Sequence, residues 1–125
     1  MTAGVSLPTT DTANVDLGIT TDVDPQYFET DGGFVARATI AGKDKATGDI
    51  LGAQLSCVVS VIGGVLTVGP TSTIVPLYAP ALAGLTVALH PDAANLRVLV
   101  RVVGNVGLAG RTADVDVVWE VWGST

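Results

Sequence analysis

From Leu96 to the C-terminus the chain alternates oily and polar residues with a period of two, in two runs separated by a glycine-rich loop. In the first run Leu96, Val98, Val100 and Val102 share one face, and Arg97, Leu99, Arg101 and Val103 the other. In the second, Ala113, Val115, Val117, Trp119 and Val121 lie opposite Thr112, Asp114, Asp116, Val118, Glu120 and Trp122. Successive side chains of a strand point to opposite sides of a sheet, so each run predicts a strand with one buried and one wet face. The loop 104–110 supplies glycines for the turn, and the two strands are predicted to pair as a hairpin. Matching the oily faces fixes the register, because a slip of one residue would turn Val115, Val117 and Trp119 into water. That register sets Arg97 and Arg101 on the same face as Asp114, Asp116 and Glu120. Such charges keep a wet face soluble, and each cross-strand pair contributes about 0.2–1 kcal/mol.

The same signal recurs upstream. Phe34, Ala36, Ala38 and Ile40 alternate with Val35, Arg37 and Thr39, and a polar loop follows from Lys43 to Asp49. Ala53, Leu55, Cys57, Val59 and Val61 alternate with Gln54, Ser56, Val58 and Ser60. Gly63-Gly64 is a two-residue hairpin signal, and Val65–Val68 returns from it. Pro70, Pro76 and Pro80 punctuate a loop over 71–84 that has room for an edge strand at Thr73–Val75. Leu85, Val87 and Leu89 form another strand, which Pro91-Asp92 ends in a turn. Six or seven short strands with no amphipathic helix predict an antiparallel β-sandwich or jelly roll over residues 33–125, with a small barrel as the alternative.

Composition agrees with that class. The 125 residues are 48% hydrophobic and 14% charged, with a mean hydropathy of +0.53. That is too oily for a disordered chain, and no run reaches the ~18–20 apolar residues of a membrane helix. Val, Thr, Gly and Ala are plentiful and Glu is confined to Glu29 and Glu120, which favours strands over helices. No basic n-region and apolar segment open the chain, so no signal peptide is expected. Neither a membrane nor a nucleic acid is expected as a partner. The net charge of −6 and pI near 4.3 argue against nucleic acid, which rewards clustered Lys and Arg.

The charge is concentrated at one end. Six of the twelve acids (Asp11, Asp16, Asp22, Asp24, Glu29 and Asp31) precede Arg37, the first basic residue. Residues 1–32 therefore predict an acidic, extended N-terminal arm with one short strand around Val15, Leu17 and Ile19. Such an arm needs a body or a neighbouring subunit to lie on, and its charge serves either as a solvating tail or for docking on a basic partner.

Little in the chain points to catalysis. Cys57 is the only thiol and His90 the only imidazole. Cys57 falls on the oily face of its strand, where burial disfavours the thiolate, so a Cys–His dyad is not expected. A Ser-His-Asp triad lacks its Gly-x-Ser-x-Gly elbow. Asp22, Asp24, Glu29 and Asp31 lack the order of a calcium loop, and Pro25 interrupts them. No metal, cofactor or catalytic residue is assigned. Contact residues are more evident. Trp122 has the parity opposite to Trp119 and is expected on the outer face, serving an interface or packing against the arm. Leu77 and Tyr78 sit in an oily, proline-stiffened loop that calls for cover from the body or a neighbour. With Val15, Leu17, Ile19 and Tyr27 they complete the predicted interface set.

From Phe34 to Trp122 the order of features resembles a small β domain that recurs in virion structural proteins of tailed bacteriophages. The resemblance is carried by Gly33-Phe34-Val35-Ala36-Arg37-Ala38-Thr39-Ile40, a polar loop, Leu51–Val58, the Gly-Gly hairpin into Leu66-Thr67-Val68-Gly69, Leu96–Val100, and Gly110-Arg111-Thr112 before the last strand. The chain departs from the pattern in its longer loop from Gly104 and in the later position of Trp119. The resemblance implies a non-enzymatic virion component, assembled in the host cytoplasm and often trimeric, found in tail fibres and appendages or as capsid decoration.

The favoured reading is a homotrimeric decoration (cement) protein, its arm clamping neighbouring subunits of the major capsid protein. A tail-fibre or collar appendage, with a tail component as partner, is the alternative. A carbohydrate-binding module, using Tyr27, Tyr78 or Trp122, is an alternative of a different class.

Overall fold

A computed structural model describes residues 10–78 and 86–124. Among these residues nine strands follow in chain order: β1 (Thr10–Asp16), β2 (Thr21–Tyr27), β3 (Gly32–Asp44), β4 (Ile50–Ile62), β5 (Val65–Val68), β6 (Ser72–Tyr78), β7 (Thr86–Asp92), β8 (Arg97–Val103) and β9 (Thr112–Ser124). Two single-turn 3-10 segments, Ala93–Asn95 and Val106–Leu108, are the only helical pieces among the described residues. Every pairing is antiparallel. A six-stranded sheet runs β1-β9-β3-β4-β5, with β6 sharing the β4 edge, and a three-stranded sheet runs β2-β8-β7. This is the all-β sandwich that the alternation predicts.

The core forms where the inner faces of the two sheets meet. From the large sheet come Ala36, Ala38, Ile40, Leu51, Leu55, Val59, Val115, Val117 and Trp119, and from the small sheet Val23, Val87, Leu89, Val98, Val100 and Val102, all buried. Every alternation read from sequence in β3, β4, β8 and β9 is thus kept, with the expected face inward. Gly63 and Gly64 make the β4–β5 turn with φ of 59° and 77°, the two positive values a type I′ turn demands.

The partner strands differ from the expected hairpin in one respect. β8 and β9 belong to different sheets. Their oily faces meet across the core instead of lying side by side, which satisfies the same burial pattern. β8 lies between β2 and β7, and β9 between β1 and β3. Arg101 accordingly pairs with Asp22 and Arg97 with Asp92, while Glu120 pairs with Arg37 and Asp114 with Lys45. A period-two pattern states which face is buried and leaves open which strand lies alongside.

The second difference is at the N-terminal end. Residues 10–28 supply one strand to each sheet, where an extended arm with one short strand was expected. β1 pairs with β9 from Thr10↔Val118 to Asp16↔Thr112, and β2 pairs with β8. Pro25, which has no N–H to give, falls at the register shift in β2, an edge strand. Phe28 is buried and its ring lies 5.3 Å from that of Phe34. The turn between β1 and β2 is tied to the loop that carries the chain from β8 to β9. Leu17 N donates to Arg111 O and Asn105 N donates to Leu17 O, both at 2.9 Å. Residues 1–9 of the expected arm lie outside the described residues.

Candidate interaction surface

The interface residues expected from sequence are scattered by the fold. Val15 and Leu17 are completely buried in the chain's own core, so they are corrected from contact residues to core residues. They face inward because β1 continues the inner face of β9, with Val15 opposite Ala113. Ile19 is 58% exposed in the turn after β1, and Tyr27 is 46% exposed on the outer face of the small sheet. Trp122 lies on the outer face of the large sheet, as its parity requires, opposite Val35 and beside β3. Leu77 and Tyr78 are in β6, opposite Gly52 and Leu51, and their side chains lie outside the described residues. Ala79 and Pro80 also lie outside them. Tyr27 and Trp122 are on opposite outer faces, so they do not form one aromatic platform for a sugar.

What the structure does gather is an apolar row on the outer face of the large sheet. Trp122 of β9, Val35 of β3 and Val58 of β4 are neighbours across three strands by register. Ile62 and Val65 extend the row to the β4–β5 tip, where they face each other. Val58, Ile62 and Val65 are 59%, 74% and 64% exposed. Between them Gly33 and Ser60 form a floor of small residues, and a shallow depression of about 420 Å³ opens there, lined also by Asp31, Gly32 and Ile62. A notch of about 130 Å³ lies farther along, between Val35, Val58, Pro70 and Ser72.

Charges border this row and are held in place. The Arg37 guanidinium lies 5.4 Å from the centre of the Trp122 ring and donates to Glu120 Oε1 at 2.8 Å. The Asp31 carboxylate accepts from Gly63 N at 2.8 Å and from Gly64 N at 3.2 Å, which braces the tip. Sequence reasoning placed Asp31 among the arm's acids and missed this role. The outward valines were also missed, although Val35 and Val58 stand out as apolar residues in the polar register of their strands.

A second cluster, also unanticipated, locks the opposite end. Asp44 closes β3 and is fully buried. One carboxylate oxygen accepts from Ala46 N at 2.8 Å, and the other from Arg111 Nε at 2.7 Å. Burial works against the charge, yet the Ala46 N–H and the Arg111 guanidinium outweigh it and hold the carboxyl below its ordinary value. Arg111 reaches Asp49 at 3.6 Å as well, so the Gly110-Arg111-Thr112 segment pins the 44–49 loop to the start of β9.

The groups considered for chemistry are separated. Cys57 is buried in the core, and burial pushes its thiol up to about 11. His90 lies on β7 with the parity opposite to the buried Val87 and Leu89, hence on the far side of the small sheet. No cluster of three or more potential metal ligands occurs among the described residues. Of the four acids Asp22, Asp24, Glu29 and Asp31, Asp22 serves a salt bridge and Asp31 a turn.

No family model matches the chain, and no curated protein matches it. Among solved structures, the tailspike protein of Acinetobacter baumannii phage AM24 is similar at 14% identity and a TM-score of 0.45. The likeness covers 93% of this chain and 26% of the tailspike chain. Similarity at that level establishes no shared role.

Proposed function

We propose that this chain is a non-enzymatic structural component of a bacteriophage particle, and that it acts by being docked through the outer face of its large sheet. The observation that carries this reading is the row of exposed Val35, Val58, Ile62 and Val65, with part-exposed Trp122 beside Val35, on the outer face of the large sheet. Large side chains on a soluble domain are costly to leave wet as a contiguous patch, and such patches mark contact sites. The buried Cys57 and the distant His90 offer no activated nucleophile. The sequence resemblance to the phage virion domain supplies the particle.

Within a particle, a tail-fibre or appendage position is preferred to capsid decoration. The decoration role drew on a free acidic arm able to clamp neighbouring subunits, and residues 10–28 are instead strands of the sandwich. Immunogold labelling of purified particles tests both levels. Label on the tail is the expected outcome, label over the head surface would restore the decoration role, and absence of the chain from purified particles would overturn the proposal.

A further inference from the structure

We propose that the outer edge of β1 is a strand-addition site, which takes an extended segment of a partner protein bearing Lys or Arg. The site stands apart from the apolar row on the sheet's outer face and requires no particular place in a particle. The backbone fixes which groups this edge offers. β1 pairs with β9 in an unbroken register, and among the described residues no strand lies on its other side. Leu17 N donates to Arg111 O at 2.9 Å, the next step of that register, so Ala13 and Val15 turn their N–H and C=O groups to β9. Thr12 and Asn14 therefore turn theirs outward. The Asp16 carbonyl agrees, since it accepts from Ile19 N in the following turn and not from β9.

The other edge strands are blunted against such an addition. Pro25 falls at the register shift of β2, Pro76 lies in β6, whose pairing also shifts, Pro91 lies in β7, and β5 has only four residues. β1 has seven residues, no proline and no shift. Charge then selects the occupant. Asp11 and Asp16 lie on β1, and on β9 Asp116 stands opposite Thr12 and Asp114 opposite Asn14. Lys43 and Lys45 lie next to Asp114 and leave the balance acidic. Two copies of β1 side by side would bring Asp11 and Asp16 of both to one seam, which disfavours self-pairing. A strand carrying Lys or Arg meets the opposite sign there. Neighbouring strands are about 4.8 Å apart, so its long side chains also reach toward the acids of β9. Main-chain groups thus supply the affinity for a strand, and the aspartates supply the preference for a basic one.

Amide hydrogen exchange and fluorescence anisotropy on the full chain test the site, with a synthetic heptapeptide of alternating Lys and Val as the probe. In the chain alone the Thr12 and Asn14 amides should exchange fast and those of Ala13 and Val15 slowly. The peptide should slow Thr12 and Asn14, bind less tightly as salt rises, and bind about tenfold or more tightly than its counterpart with Glu in place of Lys. Asn14→Pro removes an outward N–H and leaves the pairing with β9 in place, so it should abolish binding with the circular dichroism of the parent retained. Asp16→Asn keeps the side-chain oxygen that accepts from Gly18 N and loses the charge, so it should weaken binding severalfold. Slow exchange at Thr12 and Asn14 in the chain alone, no binding, equal binding of the Glu peptide, or binding unchanged by both substitutions would each overturn the proposal. None of these outcomes depends on whether the chain resides in a particle, which the labelling experiment reads separately.

Discussion

Asp44 is the fully buried carboxylate of the described structure, and it is charged because Ala46 N and Arg111 donate to it. Replacing Arg111 with Met leaves that charge buried without its cation, so it should lower the melting temperature more than Arg37→Met, whose partner Glu120 is part exposed. The same geometry fixes the acid response. Asp44, Asp22 and Asp92 all sit below the ordinary value of 3.8 in the folded chain: Asp44 as described, Asp22 through the Arg101 hydrogen bond, and Asp92 through those from Asn95 and Arg97. A carboxylate with a depressed folded pKa contributes stability that is complete above its unfolded pKa and lost as pH falls through the folded one. Thermal unfolding followed against pH should therefore show a falling melting temperature only below about 3.8, with a smaller fall in Asp44→Asn. The two tryptophans separate core from surface. Trp119 is 2% exposed, and truncation to Ala should cost about 3–5 kcal/mol. Trp122, part exposed beneath Arg37, should cost about 1 kcal/mol.

At the scale of elements, the assignment of β8 and β9 to different sheets makes a sharp expectation. A double-mutant cycle between Arg101 and Asp22 should give a measurable coupling, and one between Arg101 and Asp116 none, because their outer faces point away from each other. A coupling only in the second cycle would restore the hairpin. The crossing between the β1–β2 turn and the β8–β9 loop is equally testable. A Cβ at Gly104 would lie within 2.4 Å of Ile19 backbone atoms, so Gly104→Ala should be strongly destabilising, whereas Gly33→Ala should leave the melting temperature unchanged. Val98, Val100, Val115 and Trp119 announce their inward faces by alternation alone, and Gly63-Gly64 announces its turn. Pairing is decided by which neighbours fill the core, a long-range choice absent from local periodicity. Residues 11–31 misled for a related reason: six acids look like a solvated arm, yet Asp22 and Asp31 serve Arg101 and the tip, contacts that span 79 and about 32 residues of chain. The outer-face patch was half legible, in the parity of Trp122, because only the three-strand register brings Val35 and Val58 beside it.

For the whole molecule, the acidic N-terminal quarter and the oily body share one core. Val15, Leu17, Val23 and Phe28 are as buried as the core of the last strand, and β1 covers one edge of β9 while β2 covers one edge of β8. That unity is why docking is assigned to the outer face of the large sheet and not to an arm. The most direct test is thermal unfolding of the full chain against a chain that begins at Asp31. The full chain is expected to melt in one cooperative transition, and the shortened chain, stripped of two strands and four core residues, to show none. A shortened chain that melted cooperatively at the parent temperature would contradict this, and would return residues 10–28 to the status of a dispensable arm.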